Sequence, residues 1–431
     1  MNELARLNST ILKNNPHVYY LLSDFGKRLY YPKGILSQSD EAGKASRRFN
    51  ATIGIATERD SPMYYKHIQE TLNAYNPLDV YPYAPPLGKY ELRKEWQRKM
   101  LEENPSLQGK TIGMPIVTNG LTNGLSIVAD LFIDRNDTII LPNHYWENYH
   151  SIFHVRRGAN LQRFEFFDQK GKFNVPEFRK SLMQQKSAGK AVVLLNFPNN
   201  PSGYTPCEEE VHGIISTLLE AAESNININV ILDDAYFGLF YGDSIKESLF
   251  GRLAGIHPQI LPIKVDGATK ENYGWGLRVG FLTFASENAE LLEALEQKAA
   301  ALIRSTISSC SNLSQTIILR SLKSEEYINE KQNKFELIKE RALKVKAILS
   351  QEKYNNAWTY YPFNSGYFMC LKLKDVDAEA LRIHLLTQYG VGTIAMNSTD
   401  LRVAFSSIEK EDLDGLFEYI YRGVQDLKIG E

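Results

Sequence analysis

The chain has 431 residues, a net charge of −2 and 43% apolar residues. That length exceeds what one hydrophobic core usually serves, so two domains in one body are expected. The charge balance argues against a nucleic-acid binder, and three scattered cysteines, Cys207, Cys310 and Cys370, support neither a disulfide framework nor a metal site.

The first residues, MNELARLNSTILKNNPH, lack the unbroken apolar core of a signal peptide, and no later stretch has the apolar length of a membrane span. A soluble cytoplasmic protein with no membrane partner is therefore expected. Residues 1–60 read as a polar, irregular segment packing with the smaller domain. Residues 61–323 alternate short β-branched runs with helical periodicity, the pattern of a mostly parallel sheet covered by helices. The predicted strands are Ile116–Val117, Thr138–Leu141, Val192–Leu195, Val230–Leu232, Ile263–Val265 and Val279–Phe284. One helix is argued from its start: Thr205 as cap, Pro206 at the first position and Glu208 as the carboxylate reaching back, with Val211, Ile214, Ile215, Leu218, Leu219 and Ala222 on one face. The loop Asn196–Tyr204 then lies at the carboxyl end of a strand, the edge where open α/β sheets bind ligands. A long charged helix over Ser324–Lys353 leads into the small α/β domain, residues 324–431, with a strand at Tyr367–Leu373, a helix from Ala378 to Tyr389 and a strand at Leu401–Phe405.

Four segments carry chemistry together: Asn196-Phe-Pro-Asn-Asn-Pro-Ser-Gly203; Asp233-Asp-Ala-Tyr236; Lys270 with Arg278 eight residues on, followed by Val279-Gly280; and Leu401-Arg402-Val403. A lysine amine attacks an aldehyde only when neutral, so a site that lowers its pKa, such as one beside Arg278, makes Lys270 a nucleophile. Asp233 ends an apolar strand, where a carboxylate stabilises a nearby cation strongly, and Asp234 stands beside it. In this order the motifs resemble fold-type I pyridoxal-phosphate (PLP) enzymes of the aspartate and aromatic aminotransferase class, class I/II, from about Tyr83 to Arg402.

The resemblance implies a cofactor, pyridoxal 5'-phosphate, held as a Schiff base on Lys270. It implies Asp233, with Asp234 the weaker candidate, as partner of the pyridine nitrogen, and Asn200 and Tyr236 as partners of the phenolic oxygen. Gly120, Leu121 and Thr122, at a helix start, would cradle the phosphate with Arg278. Trp146 would stack on the ring, with Tyr145 as the alternative if the register slips by one. Arg402 would bind the substrate α-carboxylate by its planar fork. Tyr83 would reach the phosphate of a neighbouring subunit, which implies an obligate homodimer. Arg304, in a predicted helix Leu291–Arg304, resembles an arginine that reads a distal carboxylate from across that interface. The chain departs from the family in having Gly267 where a serine often stands, three residues before the lysine.

The implied reaction moves an amino group between an acidic or aromatic L-amino acid and a 2-oxo acid, 2-oxoglutarate being the expected acceptor. The same cofactor machinery also serves carbon–sulfur lyases, decarboxylases and a cyclopropane-forming synthase. A transcription regulator with such a domain as sensor would need a DNA-binding module, and the first sixty residues show no basic helix-turn-helix.

Overall fold

Seven strands form the main sheet of the computed structural model, which describes residues 3–30, 34–59 and 61–429. They are β1 (Ile116–Asn119), β2 (Thr138–Pro142), β3 (Asn160–Phe164), β4 (Lys190–Asn196), β5 (Asn227–Asp233), β6 (Ile260–Gly267) and β7 (Val279–Phe284). Their order across the sheet is β1-β7-β6-β5-β4-β2-β3, and only β7 runs antiparallel to its neighbours. Alternate residues feed two cores. Val192, Leu194 and Ile231 pack with Leu125 and Val128 of the helix Gly120–Phe132. Val193, Leu195, Val230 and Leu232 pack with Val211, Ile214 and Leu218 of the helix Glu208–Glu223. Both faces are covered, which is why these strands read as continuous apolar runs.

A second sheet is antiparallel, in the order β8-β9-β11-β10, from β8 (Trp358–Tyr360), β9 (Phe368–Leu373), β10 (Ile394–Ala395) and β11 (Asp400–Ala404). The long helix Tyr327–Leu349 leads into it. The fold is thus α/β: a mostly parallel sheet between helices, with a smaller α/β unit towards the C-terminus. Among the described residues no helix is long and apolar enough to cross a membrane.

Three expectations change. The N-terminal segment is helical rather than irregular, over Glu3–Asn14, Pro16–Leu21, Asp24–Arg28 and Ile35–Ala45. Two of these helices open on side-chain caps: Asn15 accepts from the N–H groups of His17 and Val18, with Pro16 at the first position, and Ser23 Oγ accepts from the Gly26 N–H. The strand β3 was not anticipated; it is an edge strand whose Asn160, Gln162 and Arg163 break the apolar run. The helix after the Asn196–Gly203 loop starts later than its sequence signals place it. Cys207 is its cap, and Glu210 reaches back to the Cys207 N–H at 2.7 Å. Thr205 is not free to cap, because its hydroxyl pairs with Ser365 Oγ at 2.7 Å and its N–H donates to Asn364 Oδ1. Glu208 instead pairs with Arg252 at 2.8 Å.

Candidate active site

The parallel register sets Asn196 of β4 beside Asp233 of β5, and Asp233 beside Val265 of β6. Three strands therefore deliver their ends, and the loops that follow, to one edge of the sheet. Gly203 closes the loop after β4 at a positive φ of 74°, and a Cβ there would lie 2.1 Å from the Phe368 carbonyl of β9. Only glycine fits this approach, which brings the Asn200 loop against the second sheet.

A cavity of about 320 Å³ opens at this junction. It is lined by nine of the residues singled out in the sequence: Leu121, Thr122, Trp146, Asn200, Asp233, Tyr236, Lys270, Arg278 and Arg402. Gly120 sits just behind its wall. Its φ is 73°, and a Cβ there would lie 2.2 Å from Arg278 Nη2, so the missing side chain makes room for the guanidinium. Arg278 itself holds a left-handed backbone, φ 54°, a conformation that costs energy in a non-glycine residue. Its hydrogen bond runs to the Trp275 carbonyl at 3.3 Å, and among the described residues it makes no ion pair.

The electrostatics divide the cavity. Burial lowers the Lys270 amine to about 8; the carboxylate of Asp233 opposes that shift and Arg278 adds to it. Lys270 Nζ lies 5.2 Å from the centre of the Tyr236 ring, and the Lys270 carbonyl accepts from the Tyr367 hydroxyl at 3.1 Å. The next residue, Glu271, is anchored away from the cavity by Lys99 at 2.9 Å and by Lys331. Asp233 is 3% exposed, and burial raises its carboxyl to about 6 despite a hydrogen bond from Tyr149 and the charge of Lys270. Asp234 points elsewhere: it pairs with Lys264 at 2.7 Å and accepts from Ser248 Oγ. Trp146, not Tyr145, lines the cavity.

Arg402 is 2% exposed and stacks 4.3 Å from the centre of the Phe368 ring. One nitrogen donates to Asn200 Oδ1 at 3.0 Å and another to the Thr52 carbonyl at 2.9 Å, while its Nε is buried and, among the described residues, without a partner. The bond from Arg402 occupies the Asn200 amide oxygen, and among the described residues the NH₂ of that amide makes no hydrogen bond. Tyr83 is 91% exposed and Arg304 lies exposed near the end of the helix Ala289–Thr306, bonded to Ser308; neither lines the cavity of its own chain.

The lining also holds residues that the sequence reading missed. Tyr149 donates to Asp233 Oδ2 at 2.6 Å, and Asn196 donates to the Asp233 carbonyl at 2.7 Å. Asn196 opens a quoted motif and could have been picked out; Tyr149 had only its place three residues after Trp146. Ile35 and Ser39 of the N-terminal helix Ile35–Ala45 cover one side. Thr269 Oγ1 is buried and, among the described residues, without a hydrogen-bond partner. Gly267 explains itself: a Cβ there would sit 2.7 Å from the Val279 carbonyl, so no serine fits.

The cavity's groups match the parts of PLP one by one. An unpaired Arg278, the N–H groups of a helix start and an orphan Thr269 hydroxyl make one pole that suits a phosphate. A buried carboxylate makes the other, suiting a cationic ring nitrogen. An indole and a lysine amine of lowered pKa lie in the same cavity. The residues fit the group.

Comparison with known proteins gives concordant findings. The family described as aminotransferase class I and II matches residues 66–420. A probable aspartate/prephenate aminotransferase of Aquifex aeolicus is 24% identical over 264 residues, 61% of this chain and 62% of that protein. Two aspartate aminotransferases, from Bacillus sp. and Bacillus subtilis, align over 44% and 51% of their lengths, so the chain spans about half to three fifths of these relatives. A histidinol-phosphate aminotransferase of Caldanaerobacter subterraneus is 28% identical over 69% of this chain and 74% of its own. An aminotransferase structure from Anaerococcus prevotii superposes with a TM-score of 0.81 over 93% of this chain and 98% of that one; at 22% identity the likeness is one of fold.

Proposed function

The chain belongs to the class I and II aminotransferases, and from that premise we propose that it is a PLP-dependent transaminase, a cytoplasmic homodimer that moves an amino group between an L-amino acid and a 2-oxo acid. Acidic and aromatic amino acids are the proposed donors and 2-oxoglutarate the acceptor. The observation that carries the reading is one cavity holding Lys270, Asp233, Arg278 and Arg402, a complete set of charges for this chemistry.

When bound, PLP supplies the electron sink that weakens the bonds at a substrate's α-carbon. Gly120, Leu121, Thr122, Thr269 and Arg278 would hold its phosphate, with Tyr83 from the neighbouring subunit. Asp233 would hold the ring nitrogen, Asn200 and Tyr236 the phenolic oxygen, and Trp146 one ring face. Lys270 Nζ, neutral in useful amount near pH 8, would be the nucleophilic amine that holds the cofactor. Arg402 clamps the substrate carboxylate, presented by its bonds to Asn200 and Thr52. Lys270 Nζ, free and neutral, would be the base that takes the substrate's α-proton and the acid that gives it back. Ile35, Ile53 and Phe368 give the cavity apolar walls that limit water.

A single-substrate experiment tests this. The holoenzyme with an amino acid alone should release the matching 2-oxo acid once per site and stop. Adding a second 2-oxo acid should restart it. Continuous release of ammonia or carbon dioxide without the second substrate would identify a lyase or decarboxylase instead.

A further inference from the structure

Tyr149 is 1% exposed and sits in the turn that follows Trp146, its N–H bonded to the Trp146 carbonyl at 3.0 Å. Its ring meets Trp146 edge-on, 5.5 Å between centres, and also packs on Phe153. The hydroxyl donates to Asp233 Oδ2 at 2.6 Å, while Asp233 Oδ1 accepts the Ala235 N–H at 3.1 Å. Each carboxylate oxygen thus has one fixed donor, one from its own turn and one from another element, and the pair restrains rotation of the carboxylate. We propose that Tyr149 is a positioning residue for the cofactor's ring nitrogen: its hydroxyl keeps Asp233 ionised and aimed. The proposal rests on the reading of Asp233 given above and adds a residue through which that carboxylate acts.

The physical need is specific. A carboxylate as buried as Asp233 favours its neutral acid, and a neutral acid cannot stabilise a cation. A hydrogen bond to the charged form opposes that preference. The donor must itself never ionise. Burial and the adjacent Asp233 push the Tyr149 phenol well above its ordinary range, so it remains a donor at every working pH. Among the groups facing Asp233, Lys270 also favours its ionised form and Asp234 disfavours it. Tyr149 is a neutral side-chain donor in this set, and it is locked in place by Trp146, Phe153 and the cluster that includes the helix Gly120–Phe132. The same tyrosine therefore couples the ring-stacking indole to the carboxylate by one rigid side chain.

The test uses Tyr149→Phe, which keeps the ring and removes only the oxygen. PLP binding to the apoenzyme is measured by tryptophan fluorescence from about pH 6 to pH 8, where the ordinary carboxylate range has been left behind. The variant should bind about tenfold to a hundredfold more weakly, the scale of a hydrogen bond to a charged group. Its deficit relative to the native apoenzyme should grow as pH falls towards 6, because Asp233 protonates at higher pH without its donor. In an Asp233→Asn background the same change should have little further effect, since the carboxylate it serves is gone. A purely structural tyrosine would give a pH-independent deficit that persists in the Asp233→Asn background, and that result overturns the proposal; so does an unchanged affinity. Melting of the apo variants separates misfolding from lost alignment. If Asp233→Asn alone leaves affinity intact, the role of Asp233 fails; if it weakens binding and Tyr149→Phe does not, only the present inference fails.

Discussion

The amine of Lys270 offers the sharpest quantitative handle. An ordinary lysine at 10.5 is neutral to only about 0.3% at pH 8, whereas a group at about 8 is half neutral, a gain of roughly a hundredfold in reactive amine. Capture of an aldehyde by the apoenzyme should therefore rise about tenfold per pH unit below 8 and level off near 8, not near 10.5. Pyridoxal, which lacks the phosphate, is the suitable probe, because its capture does not depend on Arg278 as an anion holder. Stopped absorbance across about pH 6 to pH 10 gives the midpoint. The sign of two variants follows from the causes of the shift. Arg278→Gln removes a cation that lowers the lysine, so the midpoint should move up. Asp233→Asn removes the carboxylate that raises it, so the midpoint should move down. Borohydride should then fix the label on the peptide containing Lys270, and Lys270→Ala should abolish it. A midpoint near 10, or a label on another lysine, would refute the assignment.

Arg402→Lys exchanges a fork held by Asn200 and Thr52 for a single ammonium, and should raise KM for the amino acid about tenfold to a hundredfold, the loss of a charge-assisted bond of about 1.5–3 kcal/mol; an unchanged KM in steady-state kinetics would place the carboxylate elsewhere. Thr269→Val should weaken binding of PLP while leaving that of pyridoxal unchanged, because only the phosphate calls on the orphan hydroxyl; equal losses in titrations with the two ligands would show a packing effect. Arg304→Ala should lower kcat/KM for glutamate about tenfold to a hundredfold more than for phenylalanine if it reads a distal carboxylate across the dimer interface. Equal losses for both donors would remove it from specificity.

The legibility of this chain followed the range of the interactions involved. Runs such as Val192–Leu195 and Val230–Leu232 are continuous because both faces of their strands are buried, and that requirement is written locally. The edge strand β3 has one neighbour and carries Asn160, Gln162 and Arg163, so no local rule marks it. The charged residues of the cavity were readable because their motifs are short: Asp233-Asp-Ala-Tyr236 and Lys270 to Arg278 each travel as one segment. The choice of Asp233 over Asp234 matches a geometric fact, since adjacent residues at a strand end face opposite ways and Lys264 claims the second carboxylate.

What stayed hidden depends on chain segments meeting. Tyr149 and its partner Asp233 are 84 residues apart, and nothing near Tyr149 records that a carboxylate will arrive there. Thr205 reads as a helix cap until Ser365, 160 residues on, takes its hydroxyl. The helix Ile35–Ala45 reads as a polar stretch, yet it sets Ile35 and Ser39 over the cavity and is held there by distant groups: Glu147 accepts the Ile35 N–H at 3.1 Å, and Gln38 bonds both ways to Ala395. The residues proposed to hold the cofactor thus sit in compact motifs at strand ends, where one backbone turn places several groups. The residues that aim those groups and cover the site come from the rest of the chain, because orientation must be imposed from a second direction. A carboxylate fixed only by its own strand could rotate; Asp233 is fixed by Ala235 from its own turn and by Tyr149 from another element, and only the second contact required the fold to be seen.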